Sequence, residues 1–254
     1  MLVDTHIHLD AAEFDPDREA VLAAARAAGV GRFIIPAVEV ANFDRVAALA
    51  AAHPDIGHAY GIHPLYIANA TTDDLAILED RLANGDAVAV GEIGLDFFIP
   101  DADPVRQEAF FVAQLKLARR FDLPVILHVR RAVDAILKHL RRIEVPGGIA
   151  HAFNGSRQQA DTFIALGLKL GFGGAMTFDG SRRIRELAAT LPLDAIVLET
   201  DAPDIPPAWA QGRRNEPANL RRFAEILAGL RGISVEDAVN ATGDNANRVL
   251  RKRP

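Results

Sequence analysis

The feature that most constrains this chain is a repeated change of pattern, from a short apolar run to an amphipathic stretch and back. Eight apolar runs read as strands, at residues 1–9, 32–36, 57–62, 87–91, 123–127, 148–150, 168–172 and 195–198. Between them apolar residues recur at helical spacing, as in Val21, Leu22, Ala25 and Ala28, or Leu75, Leu78 and Leu82. Helix boundaries carry their own chemistry. Asp15-Pro16, Asn42, Asp103-Pro104 and Ser156 read as starts, Ser234-Val235-Glu236-Asp237 reads as a capping box, and Gly29 and Gly85 read as stops. The long helix opened by Asp103-Pro104 is expected to run to about Phe121, and further helices to cover 133–140 and 183–191. Strands that alternate with helices imply a parallel sheet. Eight such units favour closure into one (β/α)8 barrel, which needs about 250 residues. The 254 residues, half of them hydrophobic, fit a single barrel domain over 1–254. No Gly-x-Gly-x-x-Gly follows the first strand, which counts against a dinucleotide-binding sheet.

The polar residues at the strand ends are the second constraint. His6 and His8 stand two apart on the first strand, so they project to the same side. His63, Glu92, His128, His151 and Asp201 end the third, fourth, fifth, sixth and eighth strands. Five of the eight histidines of the chain fall at such ends, and in a (β/α)8 barrel these ends form one mouth. Imidazoles and carboxylates gathered there need a counter-charge, because desolvating them alone is costly. One or two divalent cations would supply it. The absence of cysteine excludes disulfides, thiolate nucleophiles and thiolate-bound zinc.

The net charge of −6 argues against a protein that coats nucleic acid through its overall charge, while leaving room for a local basic rim. Arg130-Arg131, Arg182-Arg183, Arg213-Arg214, Arg221-Arg222 and Arg251-Lys252-Arg253 could form such a rim or be solvated helix ends. The first residues show no basic region followed by an apolar core, and no apolar run approaches a membrane span. The expectation is a soluble, cytoplasmic monomer with no membrane contact.

Five blocks carry a family resemblance: Asp4-Thr5-His6-Ile7-His8, Val90-Gly91-Glu92-Ile93-Gly94-Leu95-Asp96, Pro124-Val125-Ile126-Leu127-His128, His151-Ala152-Phe153-Asn154-Gly155-Ser156 and Leu198-Glu199-Thr200-Asp201-Ala202-Pro203. In this order and spacing, the chain resembles the TatD-type metal-dependent hydrolases, usually described as deoxyribonucleases, and in particular their YjjV-like branch. Gly212-Arg213-Arg214-Asn215-Glu216-Pro217 is similar to the family's late Arg-Asn-x-Pro segment. The resemblance implies an amidohydrolase-like barrel and a binuclear site. His6, His8 and Asp201 would hold one ion, His128 and His151 the other, and Glu92 would bridge them. It implies hydrolysis by metal-activated hydroxide, with Asp201 and Glu92 as catalytic residues and DNA or another phosphodiester as a transient partner. Zn, Mn, Mg, Ni or Fe would suit the mixed ligands. His63 is then a substrate contact or a group that orients a ligand. Arg130, Arg213 and Asn215 are candidate substrate contacts. Glu199 is a candidate support for the ligands. Phe97 and Phe98 could stack on a base or pack under their loop, and Gly171, Gly173 and Gly174 could allow close backbone approach or serve only as turn residues. Leu65 and Val129 depart from the family's usual His and Ser. The same chemistry would serve a carboxylic ester or amide, as in an aminoacyl-tRNA deacylase or a lactonase.

Overall fold

The computed structural model describes residues 1–98, 100 and 103–250; Arg251-Lys252-Arg253 lie outside them. The strands are β1 (Leu2–Asp4), β2 (Val30–Pro36), β3 (Ile56–Tyr60), β4 (Ala89–Asp96), β5 (Val125–Arg130), β6 (Gly148–Ala150), β7 (Leu168–Phe172) and β8 (Ile196–Leu198). The helices are α1 (Arg18–Ala27), α2 (Phe43–Ala52), α3 (Thr72–Ala83), α4 (Pro104–Arg120), α5 (Val133–Leu140), α6 (Arg157–Ala165), α7 (Arg182–Thr190), α8 (Leu220–Arg231) and α9 (Val235–Val249). All seven ladders are parallel and run in chain order from β1 to β8. The seam closes where Thr5 N donates to Leu198 O at 3.2 Å and Asp201 N to His6 O at 2.8 Å. The buried Asp4 carboxylate clamps the same seam, accepting from Thr200 N at 2.9 Å and Thr200 Oγ1 at 2.6 Å. The result is the expected (β/α)8 barrel.

Alternation along the strands sorts the core into two layers. Val3, Ile34, Ala59, Ala89, Ile126, Ile149 and Val197 fill the barrel axis, joined at the base by Ala246 of α9 and by Leu250. Their strand neighbours, such as Phe33, Ile35, Val125, Leu127, Ile196 and Leu198, face outward into the layer under the helices.

Boundary chemistry held in several places. Asp103 caps α4 by accepting from Arg106 N at 3.0 Å, Ser156 caps α6, and Ser234 caps α9. Four expectations need correction. The first strand, expected over 1–9, ends at Asp4, so His6 and His8 follow it rather than stand on it. Asp15-Pro16 lies in a turn after a short 3-10 segment, and Asp17 occupies the N-cap of α1. The strands expected to stop before Glu92 and His128 continue through them, because β4 and β5 pair up to Asp96 and Arg130. Asn42 is the N-cap of α2 by position, but its side chain makes no cap bond and accepts instead from Val38 N and Glu39 N.

Candidate metal centre

The ligand positions follow from the same alternation. Two residues past the inward-facing Ile126 is His128, and two past Ile149 is His151. Two and four past Val197 are Glu199 and Asp201, and four past Ala59 is His63. Glu92 breaks this count by one residue, and the β4–β5 register shifts between Val90 and Ile93 to absorb it.

Glu92 stands at the centre of the cluster and is buried. Its Oε2 lies 3.1 Å from His6 Nε2 and 3.7 Å from His8 Nε2. Its Oε1 lies 2.9 Å from His151 Nε2, 3.1 Å from His128 Nδ1 and 3.5 Å from His63 Nε2. Asp201 Oδ1 joins the first side, 3.5 Å from His6 and 3.6 Å from His8. The six expected ligands are therefore together, and each oxygen of Glu92 serves one side. Nitrogen and oxygen lone pairs facing one another at these distances fit a cation between them, and the donor set suits a divalent ion. Three trios of donors are compact enough to hold one: His6, His8 and Asp201; His6, Glu92 and His151; and His63, Glu92 and His128.

His63 is separated from the ligands by its tautomer. Its Nδ1 accepts from Leu65 N at 3.1 Å, and burial lowers its pKa, although Glu92 opposes the shift. A neutral ring that accepts at Nδ1 carries its proton on Nε2 and presents a donor, not a lone pair. The other titrations follow from burial and from neighbours. Burial and the His151 ring, stacked at 4.0 Å, depress His6 to about 3, so it keeps a free lone pair. Burial disfavours the His151 cation as well, but the Glu92 carboxylate overrides it and raises the ring to about 10. Glu92 is held well below the ordinary range, because His6, His63 and His151 outweigh its burial. Burial pushes Asp201 upward and Glu199 up to about 7.

Two of the three buried carboxylates around the cluster, Asp96 and Asp4, gave no clear signal in the sequence. Asp96 Oδ2 lies 3.0 Å from His128 Nε2, while its Oδ1 accepts from Phe98 N at 2.9 Å. The side chain of Gln107 on α4 bonds both main-chain groups of Asp96, at 2.8 and 3.0 Å. His128 is thus held from behind and offers Nδ1 to the cluster, an arrangement that fixes a ligand's orientation. Glu199 accepts from Ala152 N and lies 3.8 Å from His151 Nδ1, in the supporting place expected for it. A Cβ at Gly171 would strike the Glu199 carboxylate, and one at Gly173 would strike its carbonyl oxygen, so both positions need glycine for that approach. Asp4, raised by burial to about 8 despite its bonds from Thr200, belongs to the seam.

The remaining expected contacts divide. His63 lines the mouth, a cavity of about 410 Å³ that also exposes His8, Glu92, His128, His151 and Asp201. Arg130 lies just outside, half exposed, with Nη1 3.9 Å from Asp96 Oδ2 and its guanidinium 3.9 Å from the Phe98 ring centre. Phe97 is partly buried against the core, whereas Phe98 is exposed. Arg213 is exposed and donates to Trp209 O at 3.1 Å, away from the cavity lining. Asn215 is corrected outright: it is fully buried and occupied. Its amide donates to Thr200 O at 2.7 Å and Ile205 O at 3.2 Å, and its oxygen accepts from Glu216 N and Asn219 Nδ2. It pins the loop behind Asp201 and has nothing left for a substrate.

The family model of TatD related DNases matches residues 3–251. The chain belongs to the TatD family. It is a metal-dependent hydrolase of that family, and no helix among the described residues is long and apolar enough to cross a membrane. It is 43% identical over 246 residues to the uncharacterized metal-dependent hydrolase YjjV of Escherichia coli (strain K12), covering 96% of this chain and 95% of that one. It is 34% identical over 253 residues to the 3′-5′ ssDNA/RNA exonuclease TatD of Rahnella sp., covering 96% of each. The crystal structure of Escherichia coli YjjV superposes with a TM-score of 0.95 at 42% identity, over 98% of this chain and 97% of that one. Another TatD family protein, from Entamoeba histolytica, shares the fold at 18% identity and a TM-score of 0.85.

Proposed function

We propose that this TatD family hydrolase is a phosphodiesterase acting on nucleic acid, with two divalent ions held at one binuclear site. The observation that carries the reading is the division of Glu92, one oxygen toward His6 and His8 and the other toward His128 and His151. Asp201 would complete the first site, and Glu92 would serve both. Two such ions would polarise the ester, stabilise the charge of an in-line displacement and bring the pKa of water down toward about 7. Mixed nitrogen and oxygen ligation admits Zn, Mn, Mg, Ni or Fe.

The chain's own groups supply the rest. Asp201, lifted by burial, is suited to take the proton of the attacking water. His63 presents Nε2–H into the cavity, where it can donate to a phosphoryl oxygen. Gly171, Gly173 and Glu199 hold the floor rigid, and Asp96 keeps His128 from turning. The assignment to nucleic acid is supported by the single-stranded DNA and RNA activity named for the Rahnella relative.

A second reading, hydrolysis of a small carboxylic ester or amide, is favoured by one feature. The cavity lining includes Asp10, Glu13 and Asp204 and, among the described residues, no Lys or Arg. Parallel assays on metal-loaded protein decide between the readings. Labelled single-stranded DNA and bis(p-nitrophenyl) phosphate should be cut faster than p-nitrophenyl acetate. Ester turnover with neither phosphodiester cut would reverse the assignment.

A further inference from the structure

The mouth is electrically two-sided. In an eight-stranded barrel with strands in chain order, the β8–β1 arc lies opposite the β4–β5 arc. On the first arc the loops after β1 and β8 place Asp10, Glu13 and Asp204 in the cavity wall, with Leu65 and Tyr66 beside them from the loop after β3. On the opposite arc Phe98 follows β4, Arg130 ends β5 and Arg131 follows it. The Arg130 and Arg131 guanidiniums lie 3.9 and 4.4 Å from the centre of the exposed Phe98 ring. The platform is coupled to the metal centre. Phe98 N donates to Asp96 Oδ1, Arg130 approaches Asp96 Oδ2, and that oxygen contacts the ring of His128. Cationic side chains with an exposed aromatic ring make a surface that tracks a single strand sequence-independently. A wall of carboxylates does the reverse and repels a second phosphate.

We propose that the polyanionic part of a substrate lies over Phe98, Arg130 and Arg131. The departing part then sits against the acidic wall, as one terminal unit that carries no phosphate beyond the scissile one. The inference rests on the phosphodiesterase reading and adds to it a direction across the mouth and a chemical limit on the leaving end. Hydrolysis itself is unchanged: water adds at phosphorus, the ester P–O bond breaks, and the leaving alkoxide gains a proton.

The test uses the metal-loaded full chain and five single-stranded probes. They are a dithymidine monophosphate with both ends free, the same dinucleotide with an added 3′-phosphate or 5′-phosphate, and an oligothymidylate of eight residues with either end phosphorylated. One end phosphate should lower kcat/KM by at least about tenfold and the other should not, with the same polarity in the dinucleotide and the oligomer. Lengthening the strand on the tolerated end should lower KM, and Arg130→Ala/Arg131→Ala should abolish that advantage and flatten the dependence of KM on salt. Asp10→Asn/Asp204→Asn should reduce the end-phosphate penalty. Equal tolerance of both end phosphates by the unmodified protein overturns the inference, and so does a length advantage that survives the double arginine variant. If the unphosphorylated dinucleotide and the oligomers are all uncut, the phosphodiesterase reading fails first and takes this inference with it.

Discussion

The two ends of the barrel axis are built by the same strands and serve opposite ends. At the base, Val3, Ile34, Ala59, Ile126, Ile149 and Val197 meet across the axis, sealed by Ala246 and Leu250. One step higher on the inward-facing rows stand His128, His151 and Glu199, with His63 and Asp201 one step above those. The candidate metal centre is the next layer of the core, with His, Glu and Asp where the layer below has methyl groups. This explains how so many polar groups are held at and just beyond the strand ends. The backbone below them is fixed by close packing, so the ligands inherit its rigidity. It also explains the asymmetry of cost. An apolar layer gains from burial alone, whereas the layer above it is stable only when its charges are matched.

That contrast can be broken from either end, and the largest effect on turnover is expected at Glu92. Glu92→Gln keeps the volume but removes the charge that both halves of the ligand set share, so activity should drop by at least about 10³-fold. Thermal unfolding of the metal-free variant should stay near that of the unmodified protein, because the base carries the packing. A large loss of thermal stability would mean that the upper layer is structural after all. His63→Ala should cost on the order of 10²–10³ in rate, as expected for one lost transition-state donor. Equilibrium dialysis should find its metal content unchanged, and loss of metal would move His63 into the ligand shell. Asp96→Asn acts one step further back. It leaves His128 present but weakly oriented, so metal affinity at the His128 side should fall about 10–100-fold, with a smaller change in saturated turnover. The smallest effect on chemistry is expected at the base. Ile126→Ala should lower unfolding stability by about 2–5 kcal/mol through the cavity it leaves, with metal stoichiometry unchanged. A calorimetric titration showing lost metal in that variant would join the two layers that the account separates.

The fold was legible because its signal is local and repeated. β6, β7 and α5 match their expected bounds, and α4 begins at the residue after its capping aspartate. The cluster was legible because His, Glu and Asp at the ends of apolar runs have few other reasons to be there. Two supporting carboxylates were hidden for the opposite reason. Asp4 and Asp96 take their meaning from partners far off in sequence, namely Thr200 and His128, whereas Glu199 was legible because it stands two residues before Asp201 on the same side. Asn215 shows the same limit from the other side. A polar residue in a motif near the mouth reads as a contact, and only the fold shows that its amide is spent on Thr200 and Ile205. Strand ends were misjudged where ligands interrupt an apolar run, since Glu92 and His128 end the hydrophobicity but not the pairing.

The central claim is that one carboxylate divides the upper layer into two metal sites. Metal-free protein and its His128→Ala variant, titrated side by side with one divalent metal, test it most directly. The account predicts saturation near two ions per chain for the unmodified protein and near one for the variant. Saturation of the unmodified protein at one ion, or an unchanged two in the variant, would contradict it.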